Sequence, residues 1–186
     1  VWARENTREA IFDAMKRREV YATTGSRIEV RFFGGWTFEE GDIYNPNYLD
    51  RGYSAGVPMG GDLTEAPKNT APSFMIAAVK DPDGANLDRV QVVKGWLDKK
   101  GELHEKVYDV AWSGLRKIDI ESGKLPAVGN TVNAESATYK NTIGTGSLAT
   151  VWQDPNFDRT ERAFYYVRVL EIPVPRWTTY DAAYFD

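Results

Sequence analysis

Leu87-Asp88-Arg89-Val90-Gln91-Val92-Val93-Lys94-Gly95-Trp96-Leu97 runs into Asp98-Lys99-Lys100-Gly101, and the chain then returns from Glu102 to Trp112. Two long stretches rich in valine and aromatics, separated by four residues that end in glycine, predict a β-hairpin. Gly101 takes the left-handed position that a loop of this length requires. This pair makes the chain mainly β.

Working outward, Ser73–Val79 reads as a buried strand, and Arg27-Ile28-Glu29-Val30-Arg31-Phe32 alternates polar and apolar as a half-buried strand does. Further strands are expected at 131–137, 148–153 and 163–172. Phe164–Ile172 is apolar on both faces over most of its length, which predicts a central strand. Pro173 and Pro175 end it, because proline cannot donate to a ladder. Strands at this spacing with one helix beside them predict an antiparallel β-sandwich-like domain. Trp96, Trp112 and Tyr166 are expected in its core.

The helix lies near the N-terminus. Asn6-Thr7-Arg8-Glu9 has the capping-box pattern with Asn6 as N-cap, and Ala10, Ile11, Ala14 and Met15 share one face. Lys16, Arg17 and Arg18 complement the dipole at the other end, so residues 7–18 are expected to be helical. Val20-Tyr21-Ala22-Thr23-Thr24-Gly25 then reads as a strand and turn. The chain begins at Val1 and reaches this helix at once, so it reads as the tail of a larger protein. Residues 1–33 are expected to close an upstream domain, and residues 34–186 to form a β-rich C-terminal domain. Residues 34–72, rich in Gly, Pro, Asn and Asp, form a long irregular connection within it.

Composition bounds the function. The chain has 186 residues, a net charge of −4, one histidine and no cysteine. Thiolate chemistry, disulfides and cysteine zinc sites are excluded. Acids and bases are interspersed with no basic stripe, so no nucleic acid is expected. No apolar run reaches the roughly 18 residues of a membrane span. Oligomeric state has no signature in the sequence.

Candidate chemistry is sparse. His104, mid-hairpin between Leu103 and Glu105, has no nucleophile or acid at a recognisable spacing and reads as a solvent-facing strand residue. Asp81, Asp83, Asn86 and Asp88 place four side-chain oxygens around Gly84; without the EF-hand order or its bidentate glutamate, the spacing suits a plain turn before a strand better than a calcium loop. Thr23, Thr24 and Arg27 put hydroxyls and a guanidinium at a strand exit, where they suit an anionic or carbonyl ligand group or an ordinary turn. Trp177 and Tyr180, after the prolines, are free to meet a ligand or a neighbouring domain. No catalytic residue is assigned.

Four phrases are distinctive: NTREAIFDAMKRREVYATTG from Asn6 to Gly25, DRVQVVKGWLD from Asp88 to Asp98, Asp109-Val110-Ala111-Trp112, and EIPVPRWTTYDA from Glu171 to Ala182. Together they resemble a bacterial family, domain of unknown function 3604, along the whole chain. The resemblance implies kinship with the polymerase-and-histidinol-phosphatase (PHP) metallohydrolases, with the N-terminal helix closing a PHP-like barrel. It also implies export, an upstream PHP-like domain as partner, and a divalent metal (Mn, Zn or Mg) bound there. None of that family's metal-binding motifs lies in this chain, so no cofactor is expected within it. The reading that follows is the structural or cleft-shaping C-terminal part of a metal-dependent hydrolase of phosphoesters, esters or amides, catalytically incomplete alone. Thr23, Thr24, Arg27, Arg176, Trp177 and Tyr180 are its candidate cleft residues. Two alternatives stay open: a β-sandwich module binding carbohydrate or another cell-surface ligand, and a structural interaction domain.

Overall fold

A computed structural model describes residues 1–185 of the chain. Seven strands form two antiparallel sheets. The first contains β1 (Glu29–Gly35), β2 (Gly56–Pro58), β3 (Ser73–Val79) and β6 (Ser147–Gln153), in the order β2-β1-β3-β6. The second contains β4 (Leu87–Leu97), β5 (Leu103–Trp112) and β7 (Arg162–Glu171), in the order β5-β4-β7. The expected hairpin is β4–β5, its turn closed by the Asp98 and Glu102 backbones, with Gly101 at φ +83°.

The main core lies between the sheets. Phe74, Ile76, Ala78 and Leu148 come from the first, and Leu87, Val90 and Val92 from the second. Their alternation along each strand is what a sandwich interior selects. A third layer covers the other face of the first sheet. There Phe33 and Met75 pack against Phe38, Ile43, Tyr48 and Leu49, carried by a 3-10 turn at Asp42–Tyr44 and by a helix. Residues 34–72 are therefore not irregular throughout.

The three helices are α1 (Arg8–Lys16), α2 (Tyr48–Ala55) and α3 (Trp177–Phe185). α1 is shorter than the 7–18 expected, and its N-cap is Thr7 rather than Asn6: Thr7 Oγ1 accepts from the Ala10 N–H at 3.3 Å. It ends in a Schellman turn, with Arg18 left-handed at φ +63° and the Glu19 N–H donating to the Ala14 carbonyl. α2 escaped the sequence reading because Gly52 stands at its centre. A Cβ there would come within 2.7 Å of the Phe33 ring, so close packing on β1 overrides helix propensity.

Three expected strand features differ. Val20–Gly25 is not a strand; it runs alongside β1 without ladder pairing, and the Tyr21 hydroxyl donates to the Ile28 carbonyl at 3.0 Å. Residues 131–137 hold only an isolated bridge between Asn133 and Thr138. Most tellingly, β7 is an edge strand, and β4 is central. The apolar second face of β7, Phe164, Tyr166 and Leu170, remains exposed instead of meeting another layer. Tyr166 is thus not in the core, while Trp96 and Trp112 are half-buried. Phe164 lies against Gly95 of β4, where any Cβ would collide with its ring.

Candidate functional site

The two flanks of the sandwich are built differently. On one, β5 lies against β6, and Tyr108 meets Trp152 with ring centroids 4.8 Å apart. Lys94 of β4 and Asp154, just past β6, form a fully buried ion pair at 2.6 Å. Lys94 Nζ also donates to the Asn156 carbonyl at 2.7 Å, and the Tyr165 hydroxyl of β7 donates to Asp154 at 2.7 Å. This buried pair, with its remaining positions filled, ties β4 and β7 of one sheet to the segment just past β6 of the other. Burial, with the Asp154 charge second, pushes the Tyr108 hydroxyl up to about 12; burial and then the hydrogen bond to Asp154 raise Tyr165 well above the tyrosine range.

On the other flank the sheets part. β1 and β7 border a cleft of about 810 Å³. Ile28, Val30 and Phe32, alternate residues of β1 and its approach, line one side, together with residues from Val20 to Ser26. Seven consecutive residues of β7, Tyr165 to Glu171, line the other. Arg18, Met59 and Gly60 close part of the rim. The wall made by residues 18–26 is held at Gly60, where φ is +81° and a Cβ would run into the Arg18 carbonyl. Trp2 and Tyr53 brace the same wall from behind: the Trp2 N–H donates to the Glu19 carbonyl at 3.0 Å, and the Tyr53 hydroxyl bonds to the buried Glu19 carboxylate.

The predicted site residues divide. Thr23 and Thr24 line the cleft. Arg27 does not: its N–H donates to Asp81 Oδ2 at 2.7 Å, and its guanidinium reaches Asp81 at 3.3 Å and Asp83 at 3.5 Å. The Arg27 N–H, and after it that of Asp83, holds the Asp81 carboxyl below the usual range. Arg176, Trp177 and Tyr180 stand outside the cleft, the last two on α3, and Trp177 is 75% exposed. Tyr180 is near enough to help raise Tyr139, whose burial is the larger cause.

Asp81, Asp83, Asn86 and Asp88 do not converge on a common point. Asp88 is bound to Arg116 at 2.6 Å and Arg89 at 2.9 Å, and Asn86 donates to the Ile143 carbonyl at 2.8 Å. The carbonyls of Asp81, Pro82 and Gly84 do converge, on the ammonium of Lys80, at 3.0, 3.1 and 3.0 Å. A lysine reaching back over its own turn left no periodic signal in the sequence. Glu171 was also unforeseen. Its Oε1 is buried at the end of the cleft beside Ser26 and Gly84, without a hydrogen-bond partner among the described residues, so it is an acceptor in want of a donor.

His104 is exposed on β5, as expected, stacked on Trp96 and 2.9 Å from Asp98. That hydrogen bond is the main cause holding Asp98 low. Asp98, Glu102 and His104 are the one cluster of three metal-ligand types among the described residues, and they stand on the hairpin, with β4 between them and the cleft strand. The cleft itself offers hydroxyls, tyrosines, two arginines and one carboxylate, with no imidazole to activate a nucleophile. This arrangement can hold a molecule.

Fold and cleft together define a mainly-β, two-sheet protein with one flank locked and one open. The chain belongs to the family described as protein of unknown function (DUF3604), whose profile matches residues 1–186. No curated protein and no solved structure matches it. No helix among the described residues is long and apolar enough to cross a membrane.

Proposed function

We propose that this chain is the cleft-shaping, non-catalytic part of a metal-dependent hydrolase whose metal centre lies in an upstream PHP-like domain. The observation that carries this is the pairing of the cleft with a bare docking face beside it. α1 leads directly into the cleft wall, yet Phe12 and Met15 on it are exposed at 64% and 58%. An amphipathic helix that leaves its apolar side in water suits a second domain packed there. The cleft's own donors do not fit a metal centre, since Glu171 is its one carboxylate and the single histidine stands across the sheet. In this reading the metal, Mn, Zn or Mg, is bound by the upstream domain, and export accompanies the same reading. Within this chain Thr23 and Thr24 orient substrate.

The test is turnover of chromogenic phosphate, ester and amide substrates, with Mn²⁺, Zn²⁺ or chelator, by this chain and by the protein that includes its upstream region. Metal-dependent turnover by the longer protein, with KM raised by Thr23→Val and Thr24→Val, is expected. Equal turnover by this chain alone would sink the reading. A binding module is the second reading, favoured by Phe164 and Tyr166, exposed neighbours with ring planes 11° from parallel and centroids 6.4 Å apart, as aromatic surface for sugar rings. Glycan binding by this chain, lost in Phe164→Ala, would bring it forward.

A further inference from the structure

The cleft is bordered by two strand edges, and only one of them is closed. β2 pairs with β1 only from Phe33 to Gly35, so the earlier half of β1 has no neighbouring strand on the cleft side. Its carbonyls are nevertheless taken: that of Ile28 by the Tyr21 hydroxyl, that of Val30 by the Trp2 indole at 2.8 Å, and that of Phe32 by the Met59 N–H at 2.9 Å. β7 differs. It pairs with β4 on one side and, among the described residues, its backbone from Arg162 to Glu171 meets no partner on the other. Every second residue there presents an unpaired N–H and C=O, a template for another strand.

The geometry points to β7 as a strand-addition site for an extended peptide of about seven residues bearing an acidic side chain on its outward row. The cleft follows Tyr165–Glu171 residue by residue, as a groove along a strand edge does. β1 and the 18–26 wall bound its other side. Inward side chains of the guest would meet Val167, Val169, Ile28 and Val30 and are therefore apolar. Outward ones would meet the Phe164, Tyr166, Arg168 and Leu170 row. Arg168 is exposed there, with Gln91 as its one side-chain partner among the described residues, at 2.9 Å. Arg18, on the facing wall, is already paired with Asp62 at 3.2 Å, so Arg168 is the cation that selects an acidic guest. Backbone pairing supplies affinity in this mode of recognition, and the alternate pockets and charges supply selectivity. The inference shares the cleft with the proposed hydrolase role, but it is read out by binding to this chain, so it fails or stands apart from any turnover result.

The probes are fluorescein-labelled octapeptides of alternating Val and Thr, with one Thr replaced by Glu or by Lys. Fluorescence anisotropy should saturate with the Glu peptide and give at least tenfold weaker binding for the Lys peptide. Arg168→Glu, checked for an unchanged urea midpoint, should reverse that preference. Methylating the peptide amides of one alternate register should abolish binding, while methylating the other should not. Absence of saturable binding, or equal binding by both methylated forms, would overturn strand addition. So would a dimer in sedimentation equilibrium that excludes the peptide, since the edge would then belong to a second copy.

Discussion

The locked flank and the open flank use the same kinds of residue for opposite ends. At β5–β6, Lys94, Asp154 and Tyr108 are engaged across the sheets, and Tyr165 reaches in from β7 to join them while its ring still lines the cleft. At β1–β7, tyrosines, arginines and a glutamate line a cleft, and Glu171 keeps an oxygen unbonded. The lesson is that polar satisfaction, more than hydrophobicity, separates a structural side of this sandwich from a receptive one.

The sharpest way to break the comparison is to unlock the locked side. Asp154→Ala leaves Lys94 buried without its counter-charge and should cost about 3–5 kcal/mol in urea denaturation. Lys94→Met in the same chain should recover much of that loss. A loss under 1 kcal/mol would show that the flank is held by packing alone. Next in size is Gly60→Ala, which forces a Cβ into the Arg18 carbonyl at positive φ and should cost about 1–3 kcal/mol. Amide exchange should then rise in residues 18–26 and stay unchanged in β5 and β6.

Trp2→Phe keeps an aromatic ring of smaller size and removes the indole N–H that covers the Val30 carbonyl. About 1 kcal/mol of stability should go. If capping is what keeps β1 closed, a second peptide site should appear. Persistence of a single site would locate the difference between the edges elsewhere.

The flanks should also answer pH differently. Tyr108 has a raised pKa, so its contribution is full below pH 10 and fades as pH climbs toward about 12, loosening the locked side; Tyr108→Phe should reduce this alkaline component and leave the part that Tyr165, also raised, contributes. Asp81 has a lowered one. Its contribution is present above the ordinary aspartate value and is lost as pH falls through the lowered value. Asp81→Asn should flatten that acid limb of the melting profile.

How much of this was legible in the sequence follows from the range of each interaction. Period-two alternation is local, so β1, β3, β4, β5 and β6 and the Gly101 turn were readable. Edge or centre is not local. β7 has an apolar second face that reads as burial, and only Gly95, on another strand, explains how Phe164 settles on the open side of the sheet. α2 was hidden by Gly52, whose reason lies on β1. Of the expected cleft residues, Thr23 and Thr24 reach it because the wall follows directly from α1. Arg27 is drawn off by Asp81, 54 residues away, and the prolines carry Arg176, Trp177 and Tyr180 past the cleft. Lys94 and Asp154 are 60 residues apart with no motif between them.

The three carbonyls gathered around Lys80 have a further consequence. A turn that depends on a dissolved ion gains and loses order as that ion comes and goes in its surroundings. Here the positive charge is tethered to the strand leading into the turn, so it is always present at the same stoichiometry. Chelator should therefore leave the approach to the hairpin unchanged.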